Sequence, residues 1–373
     1  MITGHPPAAL NDPGRARVSV RHSRRTFLAL VAGATVGCRQ GVAGLAGAAT
    51  GQPLKKSLHF GTSTESAFFS SVKPTLTLVG ADGSVTEIVW DNTEMSRSQP
   101  QGVSRVIAVS AGELAPTKEG TLAVGRQGRI AVRDDGGLAF WATPGEKAVL
   151  VDAAAVRRAF DGRTVRQCEN DGVLLSDGTI DTSLMERLNG QKLTRGAVMR
   201  DGQPLTGVRG IKGNIALCDD GRIFGIVLGE AVNSALNIGD RIVDACFVVN
   251  AQVRAGAIAI VQGGAIRTQG DNKSIVTLDG PKDAARIEGG MRSVAVMTQG
   301  GAVFEINIDG RRKQPPFAVR GLAHVIDIAL YDEWGLGAAL RSDGSVWLWR
   351  LDRPEGDAQL QKIAEHIAVP DAL

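Results

Sequence analysis

Aromatic side chains are scarce in this 373-residue chain, which has 10 Phe, 5 Trp and 1 Tyr. Cysteine is scarcer: Cys38, Cys168, Cys218 and Cys246 include no C-x-x-C pair and no nearby paired histidine, so a thiolate metal site has no support. Past Cys38 three cysteines permit at most one bridge, and three separately buried thiols are the simpler expectation. No apolar run reaches the roughly 18 to 20 residues of a spanning helix. A net charge is missing as well. The formal value is +3, and six arginines against one acid in residues 1–50 account for it, leaving 36 basic and 38 acidic residues from position 51 onward. Binding of nucleic acid requires a basic surface excess, so this balance argues against such a partner. Catalytic signatures are absent: there is no G-x-S-x-G, H-E-x-x-H, P-loop or EF-hand loop, and His59, His324 and His366 stand far apart in sequence. No cofactor and no metal is implied.

What is present begins with a leader. Ser23 to Leu28 read Ser-Arg-Arg-Thr-Phe-Leu, followed by small apolar residues from Ala29 to Gly37. A basic region, a short apolar region and small residues make an export signal. The pair Arg24-Arg25 resembles the twin-arginine signal, which implies transport of the folded protein across a bacterial inner membrane to the periplasm or beyond. Ala46-Gly47-Ala48 fits a small-x-small cleavage pattern and soluble release. Gly37-Cys38 resembles the end of a lipoprotein signal, which would lipidate Cys38 and anchor the chain. Residues 1–50 are therefore set apart as signal and flexible N-terminus, and residues 51–373 as the folded body.

The body is rich in glycine, with 47 in the whole chain, and one signature recurs in it. Apolar residues precede a turn ending in Gly, and Val or Ile follows two places later. The anchors are Gly83, Gly128, Gly178, Gly221, Gly264, Gly301 and Gly344, at intervals of 45, 50, 43, 43, 37 and 43 residues. Two places after them stand Val85, Ile130, Ile180, Ile223, Ile266, Val303 and Val346. Four places before stand Val79, Val124, Leu174, Leu217, Ile260, Met297 and Leu340. Asp82, Asp177, Asp220 and Asp343 directly precede their anchors, whereas Gln127, Gly263 and Gly300 occupy that place in three copies. Asp-Gly between apolar stretches marks a hairpin, because Gly accepts positive φ and the Asp side chain stabilises the turn. Turn chemistry explains these aspartates without a metal. A hairpin plus about 30 residues is one four-stranded blade, and seven copies predict an all-β, seven-bladed β-propeller of about 43-residue repeats. Lys362–Val369 looks like Ala323–Leu330, the start of the preceding repeat, and is expected to pair against the first blade and close the ring.

The copies resemble the repeat of the regulator of chromosome condensation family, whose fold is a seven-bladed propeller. Ala338-Ala-Leu-Arg-Ser-Asp-Gly-Ser-Val-Trp-Leu-Trp349 carries the likeness, with Gly270-Asp271-Asn272 and the Gly turn and strand of Glu288–Val296. The resemblance implies that Trp349 is blade core. Nucleotide exchange on a small GTPase and chromatin binding belong to cytoplasmic or nuclear members and do not fit an export signal. A secreted bacterial member of the fold inhibits β-lactamases by laying its loops over the enzyme, which implies docking through loops.

Nine or ten places before the anchors stand Glu119, Glu169, Lys212, Arg254, Arg292 and Trp334. By the resemblance this connection lies on one end face, near the central opening. Lys212, Arg254 and Arg292 on successive blades, with Trp334 beside them, form a candidate arc for an acidic protein patch or an anionic cell-envelope polymer. Ordinary solvated loop charge is the plainer alternative. An exported hydrolase or lyase with convergent carboxylates at the central opening is the second functional class left open.

Overall fold

Five of the hairpin turns are built by an aspartate. The Oδ1 atoms of Asp82, Asp135, Asp177, Asp220 and Asp343 accept the N–H two residues ahead, from Ser84, Gly137, Thr179, Arg222 and Ser345, at 2.8 to 3.1 Å. The intervening Gly83, Gly136, Gly178, Gly221 and Gly344 all have φ between 76° and 85°, a region that side chains rarely adopt. Blade two corrects the sequence reading. Its turn is Asp134–Gly137, and the assigned anchor Gly128 lies inside the strand Leu122–Arg133, opposite Gly112. Gly136 is followed two places on by Leu138 rather than a β-branched residue, so the Gly-x-Val/Ile rule selected Gly128-x-Ile130 instead.

The computed structural model describes residues 57–64, 72–91, 94–116, 122–169, 172–193, 195–213, 215–227, 230–232, 241–248, 256–269, 274–290, 293–308, 315–331, 335–351 and 360–369. The chain divides into two units, Met1–Ala46 and Gly47–Leu373, and every described residue belongs to the second. Arg24, Arg25 and Cys38 lie outside the described residues.

The second unit is an all-β, seven-bladed propeller. The first strands of the blades are Leu58–Thr64, Val106–Pro116, Val165–Glu169, Val208–Lys212, Ile242–Val248, Ala284–Gly289 and Val325–Tyr331. Each adjoins the next, and the last adjoins the first, so these strands surround the centre. Blades one, two, five, six and seven have four antiparallel strands in sequence order. Blade three has three described strands, helped by an isolated bridge from Asp181 to Ala197. Its neighbourhood holds two short helices, Ala153–Ala159, capped by Asp152, and Leu184–Leu188. Blade four gains the hairpin Met199–Pro204, whose first strand runs parallel to Glu230–Val232.

Packing follows from period-two alternation in strands that are covered on both faces. Seven apolar clusters each join two neighbouring blades. Val79 and Val85 meet Val109 and Trp141 between blades one and two, and Ala295 and Val303 meet Ile328 and Trp349 between six and seven. The seventh cluster joins Leu340 and Val346 of the last blade to Leu58, Leu76 and Ile88 of the first. Trp349 is 1% exposed, and Trp347, two places before it and so on the same strand face, is half-buried against the same cluster.

The tail behaves differently from the expectation. Gln361–Ala364 pairs with the third strand of blade seven, not with blade one. Beyond it, Ile367 donates its N–H to the Gly344 carbonyl, as Val106, Val208 and Val325 donate to Gly83, Gly178 and Gly301. Ala368 then accepts the Ala81 N–H, a role filled elsewhere by the residue just before a first strand, such as Arg105 or His324. His366, Arg105 and His324 share φ between 56° and 59°. The likeness to the start of a repeat is therefore real but begins at His366, and it joins blade one through a single backbone bond and apolar contacts of Ile367 and Val369.

Candidate functional site

Blades two to seven carry a β-bulge at the same register of the first strand, two residues from its start. A bulge re-aims the residue that follows it. In blades three, five and seven that residue reaches the next blade's backbone. Gln167 donates Nε2–H to the Ile211 carbonyl at 2.5 Å and accepts the Ile211 N–H at 3.1 Å. Asp244 Oδ2 accepts the Ile287 N–H at 2.9 Å. Asp327 Oδ2 accepts the N–H groups of Ser57 and Leu58 at 2.5 and 2.9 Å, across the seam between the chain's last and first blades.

The same strands bring ionised groups together. Lys212 Nζ lies 3.1 and 2.9 Å from the two carboxylate oxygens of Asp244 and 3.1 Å from Glu288 Oε1, and it also donates to the Ile287 carbonyl. Arg286 pairs with Asp327. Glu169 accepts the Gly213 N–H at 3.2 Å. Gln167, Glu169, Ile211, Lys212, Asp244, Arg286 and Glu288 enclose a cavity of ≈ 20 Å³, room for about one water. Burial pulls the Lys212 pKa down, but Asp244 and Glu288 outweigh it and hold the ammonium above the ordinary lysine value. Arg286 is likewise raised against burial by Asp327, Asp244 and Glu288. An ammonium has three N–H donors, which go to the two Asp244 oxygens and the Ile287 carbonyl, with Glu288 Oε1 at ion-pair distance. Lys212 is thus a fixed cation, not a proton acceptor.

Of the residues singled out in the sequence, Glu169 and Lys212 meet at this cavity. Arg254, Arg292, Trp334 and Glu119 lie outside the described residues. They fall in the chain segments between the first and second strands of blades five, six, seven and two. Sequence reasoning missed Gln167, Asp244, Arg286 and Asp327. Their signal is a polar residue two places after the apolar start of the first strand, as in Val165-Arg-Gln, Ile242-Val-Asp and Val325-Ile-Asp. Cys168, Cys218 and Cys246 are free and buried. Burial pushes all three thiols up, that of Cys218 to about 12, so none is a ready nucleophile. Among the described residues no group of three His, Cys, Asp or Glu comes together as a metal site, and no helix is long and apolar enough to cross a membrane.

No family model and no curated protein matches the chain. Solved structures do. The chain is similar to YCF48 bound to a D1 peptide, at 13% identity and a TM-score of 0.50, over 81% of this chain and 96% of that one. It is also similar to Prp20p of Saccharomyces cerevisiae, at 11% identity and a TM-score of 0.37, over 62% and 72% of the two chains. PorZ, a bacterial surface component of the type-IX secretion system of Porphyromonas gingivalis, matches at 11% identity and a TM-score of 0.35, over 71% of this chain and 38% of PorZ. At these identities the likeness to YCF48 is one of fold.

Proposed function

We propose that the chain is an exported, non-catalytic binding propeller, which docks a protein or an anionic cell-envelope polymer through the end face carrying its first-to-second strand connections. The central ion network is the observation that carries this reading. A hydrolase or lyase at the opening would need a carboxylate or amine free to move a proton and space for a substrate. Here Lys212 donates to both Asp244 oxygens and the Ile287 carbonyl, Asp244 also accepts the Ile287 N–H, and the cavity has room for about one water. What the ring offers instead is a rigid disc with one connection per blade at this end. YCF48, which shares the fold, is seen with a peptide bound.

The contact residues of this reading are Arg254, Arg292 and Trp334, in the connections of blades five, six and seven. Lys212 is buried instead, its charge matched by Asp244 and Glu288. Export in folded form rests on Arg24 and Arg25, soluble release on Ala46-Gly47-Ala48, and a lipid anchor at Cys38 is the other end for the leader. The repeat likeness makes the chain a divergent relative of the regulator of chromosome condensation repeat. The test is affinity capture from envelope extract with the intact protein and with Arg254→Glu/Arg292→Glu. Binding should fall by about tenfold or more in the double variant and lose much of its salt dependence. Equal capture by both proteins would remove these residues from the site.

A further inference from the structure

The bulges place a second set of residues at the other end of the ring, where the Asp-Gly turns lie. Each bulge expels one residue from the ladder beside that end, and in blades two to five these are Ile107, Arg166, Arg209 and Val243. Ile107 and Val243 are 44% and 38% exposed, among the most exposed large aliphatic side chains of the described residues. Between them Arg209 is fixed, donating Nη2–H to the Ile242 and Val243 carbonyls at 2.9 and 2.7 Å, which sets its guanidinium beside Val243. Arg241, immediately before the first strand of blade five, is exposed and makes no ion pair among the described residues.

Arg166, Arg209 and Arg241 place three cations at this end of blades three to five. Burial lowers the Arg209 pKa, Asp244 opposes this, and Arg241 lowers it further while Asp219 opposes it. The acids of the Asp-Gly turns are engaged. Asp134 pairs with Arg105, Asp135 with Arg133 and Asp220 with Arg222, and Asp82 and Asp343 accept from Ser84 and Ser345. A polyanion without side chains would satisfy the arginines and leave both aliphatics in water. A protein segment that alternates carboxylates with apolar side chains would cover all of them, and Arg binds carboxylates in a planar, two-pronged geometry.

We propose that the turn end of the ring is a docking surface for an acidic, leucine- or valine-bearing protein segment, seated on Ile107, Arg166, Arg209, Arg241 and Val243. It is independent of the surface proposed at the opposite end. The probe is a short fluorescein-labelled peptide of alternating glutamate and leucine, titrated into the full-length protein by anisotropy at low and high salt. Arg241→Glu and Val243→Asp should each weaken binding by about tenfold, with unchanged circular dichroism and melting temperature. An all-glutamate peptide should bind about tenfold more weakly than the alternating one, and Arg254→Glu/Arg292→Glu should bind the alternating peptide like the wild type. The proposal is overturned by a wild-type protein that does not bind the alternating peptide, by Arg241→Glu and Val243→Asp variants that bind it normally, or by equal affinity for the all-glutamate peptide. Loss only in Arg254→Glu/Arg292→Glu would likewise overturn it, and would assign the peptide to the opposite end.

Discussion

Replacing Lys212 by Met would leave the Asp244 and Glu288 carboxylates near one another with no cation between them. Breaking a buried pair by removing one partner costs about 3–5 kcal/mol, and denaturant unfolding should show a loss of that size. Lys212→Arg, which keeps the charge, should recover part of it. A second buried pair joins blades one and two: Arg129 Nε lies 3.5 Å from Glu87 Oε1, both side chains at most 1% exposed. Burial raises the Glu87 pKa, and Arg129 only partly opposes it. The turn aspartates have the opposite sign. The Ser84 and Ser345 hydroxyl and amide groups hold Asp82 and Asp343 below the usual carboxylate range, and for Asp177 the Thr179 hydroxyl and amide and Arg163 outweigh the opposing effect of burial. A depressed folded pKa gives stability that is present above the unfolded value and lost as pH falls through the folded one. Stability should therefore drop below about pH 4, and Asp82→Asn/Asp177→Asn/Asp343→Asn should flatten that acid limb in melts recorded against pH.

At the scale of the element, the turn glycines are not equivalent. A Cβ on Gly83 would meet Arg105 Cα at 2.7 Å and the Val106 amide at 2.8 Å, so the turn of blade one presses on the first strand of blade two. At Gly136 the nearest atom is a Thr164 methyl carbon at 3.6 Å. Gly136→Ala carries only the positive-φ cost, about 1 kcal/mol, while Gly83→Ala adds a backbone collision and should cost at least about 2–3 kcal/mol more, measurable as separate shifts in denaturation midpoint. These hairpins were the most legible part of the sequence, because Asp-Gly chemistry is local. Six of the seven anchors stand where the spacing put them. The seventh failed at blade two, whose first two strands are 11 and 12 residues long and carry an extra bulge, so its turn comes late. The central ion network was hidden for a related reason. Counting back from each glycine crosses a first-to-second strand connection of varying length, so Gln167, Asp244 and Asp327 share one place in the ring but lie 11, 20 and 17 residues before their anchors. Counting forward from the start of the first strand aligns them. Glu169 and Lys212 were found because their connections are short.

For the whole molecule, closure distinguishes a ring from an open array of blades. Blade one is built from the N-terminal strands and blade seven from the C-terminal ones, so no blade combines full strands from both ends. The seam depends on the Asp327 bonds to Ser57 and Leu58, the Ala81-to-Ala368 bond and one shared apolar cluster. Ending the chain after Ala364 removes Ile367 and Ala368 from this seam while leaving the paired strand Gln361–Ala364 intact. The shortened protein should melt at a lower temperature, with faster hydrogen exchange in blades one and seven before the others. Export belongs to this scale too: Arg24→Lys/Arg25→Lys should hold the folded protein in the cytoplasm, as cell fractionation would show, because the leader resembles a signal that requires the arginine pair.

Binding without turnover is the central claim of the function we propose. The most direct measurement is the mass of the captured envelope partner before and after long incubation with an excess of the protein. Retention of the partner at unchanged mass, weakened by salt and by Arg254→Glu/Arg292→Glu, is the expected result. Cleavage or chemical change of the partner by the intact protein, abolished by Asp244→Asn or Glu288→Gln, would contradict it and make the central carboxylates catalytic.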